Sequence, residues 1–303
     1  MSETFVIPAM GWLPDYPDIR DVTFQSERVP SKLQALGQPS VKQMLAKVGA
    51  TTSAPAALPT SVDLRPWCSP IEDQKTIGSC TAHAGVGLVE YFERRAFGKH
   101  LDASRLFLYK VTRNLLKWTG DTGAFLRSTM YALTLFGVPP EEYYPYNIAD
   151  FDKEPSAFCY AFGQSYQAIS YYRLDPPGTT RSNLLTQIKT YLANGLPSMF
   201  GFTVYSSISQ GNTTGKIPYP TRGERVLGGH AIDAVGYDDN LKIKNTNAGG
   251  IETTGALLIR NSWGTGWGSA GYGWLPYKYV LDGLATDWWS LIKSEWIDTG
   301  QFG

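Results

Sequence analysis

The stretch that decides the fold is residues 73–92, DQKTIGSCTAHAGVGLVEYF. After Cys80 this run is apolar on nearly every side, and Glu90 is its one charged residue before position 93. Such a pattern predicts a helix buried inside a large domain. The Gly78-Ser79 pair supplies a turn and a cap, which places Cys80 at the helix N-terminus.

A thiol at that position is predicted to be reactive. It would lie at the positive end of the helix dipole and beside unpaired backbone N–H groups, both of which favour thiolate over thiol. Cys80 is therefore the candidate nucleophile. The other two cysteines, Cys68 and Cys159, could pair with each other, although intracellular thiols usually stay reduced and the sequence leaves this open.

Composition narrows the class of protein. The chain has 303 residues and 43% hydrophobic content, which is ample for a sizeable core. Lys plus Arg and Asp plus Glu are both 27, so the net charge is zero and nothing favours nucleic acid or an anionic membrane as partner. No apolar run is long enough to span a bilayer, and the first residues lack the pattern of a secretory signal. We expect a monomer without a membrane partner, and an intracellular location is favoured unless the chain is exported by a route that needs no signal peptide.

Two segments of different character are predicted. Residues 1–57 are proline-rich and form an N-terminal extension that ends in an Ala/Pro linker at 51–57. The extension contains one short amphipathic piece at 40–48 and an extended, aromatic piece at 11–18. It cannot build its own core, so it must lie on the main domain or stay mobile. Residues 58–303 form the globular domain.

The order of elements predicts an α+β fold with a helical lobe at about 68–180 and a sheet lobe at about 181–300. Asp102 is the expected cap of the second helix. The predicted helices after the Cys80 helix are 103–116, 126–136 and 181–194, and the predicted strands are 197–204, 230–237, 255–261, 272–275 and 288–296.

A cysteine nucleophile needs a base, and the chain has three histidines. His100 lies in a polar loop and is expected at the surface. His83 is on the Cys80 helix, where the dipole opposes an imidazolium, so a structural role is favoured. His230 follows Gly228-Gly229, which would let a substrate backbone approach closely, and it opens a predicted strand.

Asn261 strengthens the choice of His230. An amide oxygen can hold an imidazole in one orientation without adding charge. Trp263, two residues further on, would shield that hydrogen bond from water. The scattered histidines and cysteines show no metal-ligand spacing, and no cofactor is expected.

Together these motifs resemble the papain-type cysteine peptidases, which have a helical lobe, a β-barrel-like lobe and a cleft between them. The likeness covers about residues 58–300. Its most specific part is the run NSWGTGWG that begins at Asn261. The resemblance implies Cys80 as nucleophile, His230 as its general acid and base, Asn261 as the group that orients His230, and Gln74 as an oxyanion donor.

The resemblance also implies a binding cleft for peptide or protein substrates. Residues 123–126 match the glycine-rich substrate strand, and an apolar or aromatic side chain is expected in the pocket beside the scissile residue. The residues expected to bind substrate are Gly123, Ala124, Phe125, Leu126, Gly201, Gly228, Gly229, Ala231 and Trp263. Thr81 and Ile77 depart from the family pattern, and Ile77 removes a common disulfide partner. Residues 238–254 are an insertion, expected as an extended hairpin.

Three alternatives for function remain beside endopeptidase activity. A silent peptide-binding protein would usually have lost one of the four groups, and a thiol acyl-transferase or amidase usually has an acidic third member. A carboxypeptidase is disfavoured because no His-rich loop is present. The N-terminal extension lacks the long helical pattern of the family's propeptides. It is expected either to cover the cleft as the protein's own inhibitor or to pack on the surface elsewhere.

Overall fold

The computed structural model describes residues 10–29, 31–35, 37–50, 57–164 and 170–303. Most of the predicted linker at 51–57 lies outside these residues. The helices are α1 (Ser31–Ala35), α2 (Val41–Lys47), α3 (Cys80–Phe97), α4 (Arg105–Leu116), α5 (Leu126–Phe136), α6 (Ala157–Gly163), α7 (Arg181–Ala193), α8 (Tyr277–Leu281) and α9 (Ser294–Ile297). The strands are β1 (Ser61–Asp63), β2 (Ser170–Arg173), β3 (Ser198–Tyr205), β4 (Val226–Lys244), β5 (Glu252–Arg260), β6 (Tyr272–Pro276) and β7 (Ala285–Ile292).

Helix α3 is the central helix of the molecule, and Cys80 is its first residue, as predicted. All of its residues from Cys80 to Phe92 are buried, and Gly98 ends it in a left-handed conformation with φ 74°. Ser79 precedes the helix, but its side chain makes no capping bond. Its hydroxyl instead lies 2.6 Å from the Tyr146 hydroxyl, which ties the helix start to the loop after α5.

The cap of α4 differs from the prediction. Ser104, not Asp102, accepts a hydrogen bond from the Phe107 N–H at 3.1 Å, and the helix begins at Arg105. The Asp102 carboxylate pairs with Arg105 at 3.1 Å instead. Two good capping residues stand close together in the sequence, and the buried one, Ser104, is the cap.

The sheet lobe is an open antiparallel sheet, so the predicted barrel-like closure is wrong. Its strand order is β2-β7-β3-β4-β5-β6, with β1 paired to β4. Strands β4 and β5 continue as a hairpin as far as Lys244 and Glu252, which confirms the hairpin expected from the insertion. The strand predicted at 288–296 is instead β7 followed by α9, in which Trp296 stacks on Phe92 of α3 at 5.0 Å.

The N-terminal extension, which we call the arm (described residues 10–29, 31–35 and 37–50), lies against the sheet lobe and also contacts the helical lobe at Ala124 and Arg127. Helix α2 begins with a complete capping box at Ser40 and buries Val41, Met44 and Leu45. Further towards the N-terminus, Thr23 forms a parallel bridge to Arg173 of β2. The arm buries apolar side chains on the domain because it has too few for a core of its own.

A buried polar joint connects α3 to the sheet beneath the cleft. A Cβ on Gly87 of α3 would lie 2.4 Å from Arg260 Nη1 and 2.8 Å from Asp233 Oδ2, so only glycine allows this approach. Arg260 also donates to the Ser69 hydroxyl at 2.9 Å, and Ser69 donates to Glu90 of α3 at 2.5 Å. This joint fixes α3, and with it Cys80, relative to β4 and β5.

No helix among the described residues has the length and apolar character needed to cross a membrane. The three cysteines are all unpaired and buried. Cys68 lies 3.7 Å from the Leu64 carbonyl oxygen and Cys159 lies 3.5 Å from that of Tyr143. Cys68 and Cys159 are therefore not joined by a disulfide.

Candidate active site

The Cys80 thiol is fully buried at the N-terminus of α3. Burial raises its pKa to about 11, although backbone N–H groups, that of Ala231 first and that of Gly11 next, act against this. In this covered state the thiol form is favoured, opposite to the expectation from the helix dipole alone. The cause is desolvation of the sulfur, to which the arm contributes by lying over it.

His230 and Asn261 come together on neighbouring strands of the sheet lobe. His230 Nε2 donates to Asn261 Oδ1 at 2.8 Å, and the same oxygen accepts the Ser262 N–H at 2.8 Å. Because Nε2 carries the proton, the neutral ring has Nδ1 as its basic nitrogen. Nδ1 is buried and makes no hydrogen bond within the described part of the chain. Trp263 stacks on the imidazole at 4.6 Å and covers this pair.

The position of His230 also brings it close to Cys80. The backbone N–H of Ala231, the residue directly after His230 on β4, lies near enough to the sulfur to act on its pKa. Burial lowers the pKa of His230 to about 4, so its ring is neutral at neutral pH. The covered site therefore holds a neutral thiol at the start of α3 and a neutral imidazole on β4.

Gln74 is fully buried and connects the two lobes. Its Nε2 donates to the Ile77 carbonyl at 3.0 Å, and its Oε1 accepts the Ser262 hydroxyl at 2.7 Å. Its backbone N–H donates to the Ser262 carbonyl at 2.8 Å. The amide is thus held in one orientation next to the helix start and to the residue that follows Asn261.

His83 packs beside the helix start as expected, whereas His100, expected at the surface, is half-buried. His83 Nδ1 lies 3.1 Å from the Ser79 carbonyl oxygen, and its ring meets Tyr146 edge to face at 5.0 Å. Burial lowers the pKa of His83 to about 3, so it stays neutral. His100 lies in the half-buried loop after α3. Of the three histidines, His230 is the one whose next residue, Ala231, acts on the pKa of Cys80 through its N–H.

The arm enters the cleft at residues 10–13. The Trp12 N–H donates to the Gly229 carbonyl at 3.1 Å, the Ala124 N–H donates to the Gly11 carbonyl at 2.8 Å, and the Leu13 N–H donates to the Ala124 carbonyl at 3.1 Å. Trp12 and Ala124 therefore form a parallel bridge. The cleft binds an extended peptide backbone here, and in this structure the peptide is the protein's own.

Glycines make this close approach possible. A Cβ on Gly11 would lie 1.8 Å from the Gly78 carbonyl oxygen, and a Cβ on Gly123 would lie 2.2 Å from the Gly11 carbonyl oxygen. Gly228 lies against Met10, since a Cβ there would be 2.7 Å from the Met10 side chain. The arm is held in the cleft mainly by contacts between backbone and backbone.

The Trp12 indole fills a pocket in the sheet lobe. A Cβ on Gly201 would lie 1.9 Å from the indole ring, and the Trp12 Nε1–H donates to Asp287 Oδ2 at 3.1 Å. Sequence reasoning found Gly201 but missed both Trp12 and Asp287. Trp12 was recognisable only as part of an aromatic, extended stretch, and Asp287 stands in a strand without any motif.

The other residues expected to bind substrate differ in whether they lie near Cys80, His230 or the arm. Ala231 contacts the sulfur through its N–H, and Trp263 covers His230. Phe125 lies half-buried before α5 against Trp118, with ring centroids 5.5 Å apart. Leu126 is fully buried in the core of the helical lobe. Phe125 and Leu126 make no contact with the arm that parallels those of Gly123 and Ala124 among the described residues.

Ion pairs hold the arm beyond the cleft. Arg127 of α5 contacts Asp15 and also pairs with Asp21 at 2.7 Å. Arg173 of β2 lies 3.5 Å from Asp21 and donates to the Asp15 carbonyl at 3.4 Å. Burial is the largest influence on Arg127, yet the hydrogen bonds that it donates to the two arm carboxylates, together with their charges, outweigh burial and raise its pKa.

Residues 58–282 match the sequence profile described as papain family cysteine protease. The chain belongs to the papain family of cysteine proteases. This papain-family chain is 32% identical to xylellain, a cysteine protease from Xylella fastidiosa, with a TM-score of 0.71 over 94% of this chain and 96% of that one. The match makes it a cysteine peptidase of α+β fold.

Two curated relatives agree with this assignment. An uncharacterised peptidase C1-like protein of Acanthamoeba polyphaga mimivirus is 33% identical over 95% of this chain and 88% of its own length. A cathepsin B-like protein of Giardia intestinalis is 28% identical over 80% of this chain and 81% of its own. The papain-family profile begins at residue 58, so the arm lies outside it, whereas the mimivirus match covers nearly the whole chain.

Proposed function

We propose that the chain is a latent endopeptidase in which Cys80, His230, Asn261 and Gln74 carry out hydrolysis and the arm inhibits it. The observation that carries this proposal is the arm backbone in the cleft. Residues 11–13 use Ala124 and Gly229 as an extended peptide would, directly beside the Cys80 sulfur. A cleft that binds this peptide can bind another when the arm leaves.

In the proposed reaction the Cys80 sulfur attacks the carbonyl carbon of a peptide bond. His230 Nδ1 takes the thiol proton and later gives it to the departing amine as the carbon–nitrogen bond breaks. Water then attacks the thioester, His230 takes its proton, and the acid product leaves as the sulfur is released. Gln74 and the Cys80 N–H stabilise the oxyanion, and Asn261 keeps His230 Nε2–H occupied so that Nδ1 is basic.

The arm is suited to block this reaction without being a substrate. It meets the sulfur through the Gly11 N–H, which is a donor, whereas attack requires a carbonyl carbon within about 3–3.5 Å of the sulfur. By covering the sulfur it also contributes to the burial that raises the pKa of Cys80 and lowers that of His230. Departure of the arm would restore solvent and favour the thiolate–imidazolium pair.

The test uses a full-length variant that cannot seat the arm. Gly11→Val, hereafter the released chain, places side-chain atoms where a Cβ alone would be 1.8 Å from the Gly78 carbonyl. We expect it to hydrolyse fluorogenic peptides at least about tenfold faster than the unaltered chain, since overpacking costs about 1–3 kcal/mol. Truncation is a poorer test, because α2 buries three apolar side chains on the domain.

The matched control is Ile19→Ala, because Ile19 is 98% exposed in the same arm. It should leave hydrolysis unchanged. A thiol-directed epoxide should label Cys80 stoichiometrically in the released chain, as measured by mass spectrometry. Equal hydrolysis by two folded proteins, the unaltered and the released chain, would contradict inhibition by the arm. Labelling without hydrolysis of any peptide would contradict the endopeptidase.

A further inference from the structure

The pocket that receives Trp12 has an apolar wall and a single carboxylate at its end. The wall includes Gly201 and Gly229, where a Cβ would lie 1.9 Å and 2.7 Å from the indole ring. The end is Asp287, whose Oδ2 accepts the indole Nε1–H at 3.1 Å. Asp287 is only 1% exposed. A flat aromatic side chain with a hydrogen-bond donor at its far edge therefore fits this pocket.

A bulge in β7 directs the Asp287 side chain. Between the pairs Met199–Trp289 and Gly201–Thr286, β3 has one residue while β7 has two. Asp287 is at this irregularity and has φ 62°, a left-handed conformation that is uncommon for any residue except glycine. Bulges near active sites commonly re-aim a side chain, and strained backbone persists only where its surroundings hold it.

The domain supplies partners for the Asp287 N–H and Oδ1, and the arm supplies one for Oδ2. Its N–H donates to Asp175 at 2.8 Å. Its Oδ1 accepts the Trp289 Nε1–H at 2.8 Å and lies 3.3 Å from Arg173 Nη2. These contacts are all made by the domain. The only partner of Oδ2 in the described residues is Trp12, which belongs to the arm.

When the arm leaves, Oδ2 loses the donor that the arm supplies, and a ligand side chain that enters the pocket and excludes water either replaces that donor or leaves Oδ2 buried and unpaired. Such a group carries a desolvation cost that a ligand with an N–H can remove and a ligand without one cannot. Sites built to hydrogen-bond a substrate N–H reject analogues that lack it by large factors. The pocket is thus selective for a donor, in contrast to the purely apolar or aromatic preference expected from sequence.

We propose that this pocket selects substrates whose side chain has a flat or long apolar body ending in an N–H donor, with tryptophan as the reference case. Asp287 is then the specificity-determining residue, and Trp12 of the arm occupies the place of that substrate side chain. The proposal rests on the proposed peptidase function only in taking a peptide as the ligand. It concerns the residue whose backbone lies between Ala124 and Gly229.

The test compares two peptides that differ in one atom group. They carry either tryptophan or 3-benzothienylalanine, in which sulfur replaces the indole N–H, at the position next to the scissile residue. Binding is measured by fluorescence anisotropy at pH 7.5 with a full-length Gly11→Val, Cys80→Ala chain, and hydrolysis with the released chain. We expect the tryptophan peptide to bind about tenfold or more tightly and to show a matching gain in kcat/KM.

Two variants assign the preference to the pocket. Asp287→Ala should bring the ratio between the two peptides close to one. Because Asp287 also holds Arg173 and Trp289, a folding defect is checked by thermal unfolding. Gly201→Ala should weaken both aromatic peptides and leave a peptide with alanine at that position unaffected. The comparison of the two peptides on the unaltered pocket needs neither variant.

The outcomes separate this inference from the proposed function. Equal binding of the two peptides, or no binding of either, overturns the inference. A tryptophan preference in binding together with no hydrolysis by the released chain overturns the peptidase proposal and leaves the pocket assignment supported. Hydrolysis without a tryptophan preference overturns the pocket assignment and leaves the peptidase proposal supported.

Discussion

The proposed catalytic residues, hereafter the constellation, and the arm that covers them are held in place by different kinds of contact. Gln74, His230 and Asn261 are fixed by buried side-chain hydrogen bonds, among them His230 to Asn261 at 2.8 Å and Ser262 to Gln74 at 2.7 Å. The arm is held by backbone pairing, by glycines without room for a Cβ and by ion pairs at its edge. The constellation is thus fixed by side-chain bonds inside the domain, whereas the cleft segment at 10–13 is paired mainly through its backbone and α2 anchors the rest of the arm by burying apolar side chains.

The largest expected effect falls on the constellation. Cys80→Ala in the released chain should lower kcat/KM for peptide hydrolysis by at least about 10⁴-fold, since removing a nucleophile leaves only binding and oxyanion stabilisation. The matched control is Cys159→Ala, which removes a buried, unpaired cysteine of the helical lobe. It should retain activity. Loss of activity in both variants would mean that folding, not chemistry, was affected.

Gln74 is the next position at which the constellation can be tested. Gln74→Ala in the released chain should cost about 10²–10³ in kcat, because one oxyanion donor is lost. Ser262→Ala removes only the hydroxyl that orients the Gln74 amide, so its cost should be smaller, about tenfold. An effect on KM alone in either variant would assign Gln74 to substrate binding instead. Steady-state kinetics on one fluorogenic peptide gives both parameters.

The arm is expected to respond to smaller changes than the constellation. Trp12→Phe in the otherwise unaltered chain keeps the ring in the pocket but removes the bond to Asp287. A hydrogen bond to a charged group contributes about 1.5–3 kcal/mol, so hydrolysis should rise by about tenfold. Arg127→Gln, which removes the ion pairs to Asp15 and Asp21, should raise it less and make the rise depend on salt. No change in either variant would place the inhibition elsewhere.

An effect of a different kind is expected on the free energy of unfolding as a function of pH. The pKa of His230 is lowered by burial from 6.5 to about 4, so the unfolded chain binds this proton first as the pH falls. The folded form therefore loses stability as the pH falls from about 6.5 to 4, by up to about 3 kcal/mol from this group at about 1.4 kcal/mol per pKa unit.

The comparison that isolates this contribution is between the unaltered chain and His230→Gln. His83, whose pKa is also lowered, is present in both and cancels. Urea unfolding at a series of pH values should show the unaltered chain losing stability relative to the variant below pH 6.5. Parallel curves for the two proteins would mean that His230 is not held neutral by burial.

The success of prediction from the sequence also differs between the constellation and the arm. Cys80 at a helix start and the run beginning at Asn261 are local patterns, and both lie where they were predicted. Helix α5 has the predicted bounds, because Gly137 ends it directly. The general placement of the sheet strands also follows from alternation and turns. These features depend on residues close together in the chain.

The errors involve contacts between distant parts of the chain. Trp12 and Asp287 are 275 residues apart, and the bulge that aims Asp287 exists only once β3 and β7 pair. The position of the arm is set by its contacts with the cleft. A sequence without an extended helical pattern gives no sign of those contacts. Closure of the sheet into a barrel depends on how its edge strands β2 and β6 end, which no short pattern records.

The contact of Gly11 with Gly78 and Gly123 has a consequence for how the protein comes into being. Synthesis runs from the N-terminus, so residues 10–13 emerge well before His230, Asn261 and Asp287, which complete the opposite wall. The arm segment that lies in the cleft is thus synthesised before the residues that complete the cleft. The last strands can therefore pack against residues 10–13 that have already been made. A newly made chain need not expose the Cys80 sulfur at any stage.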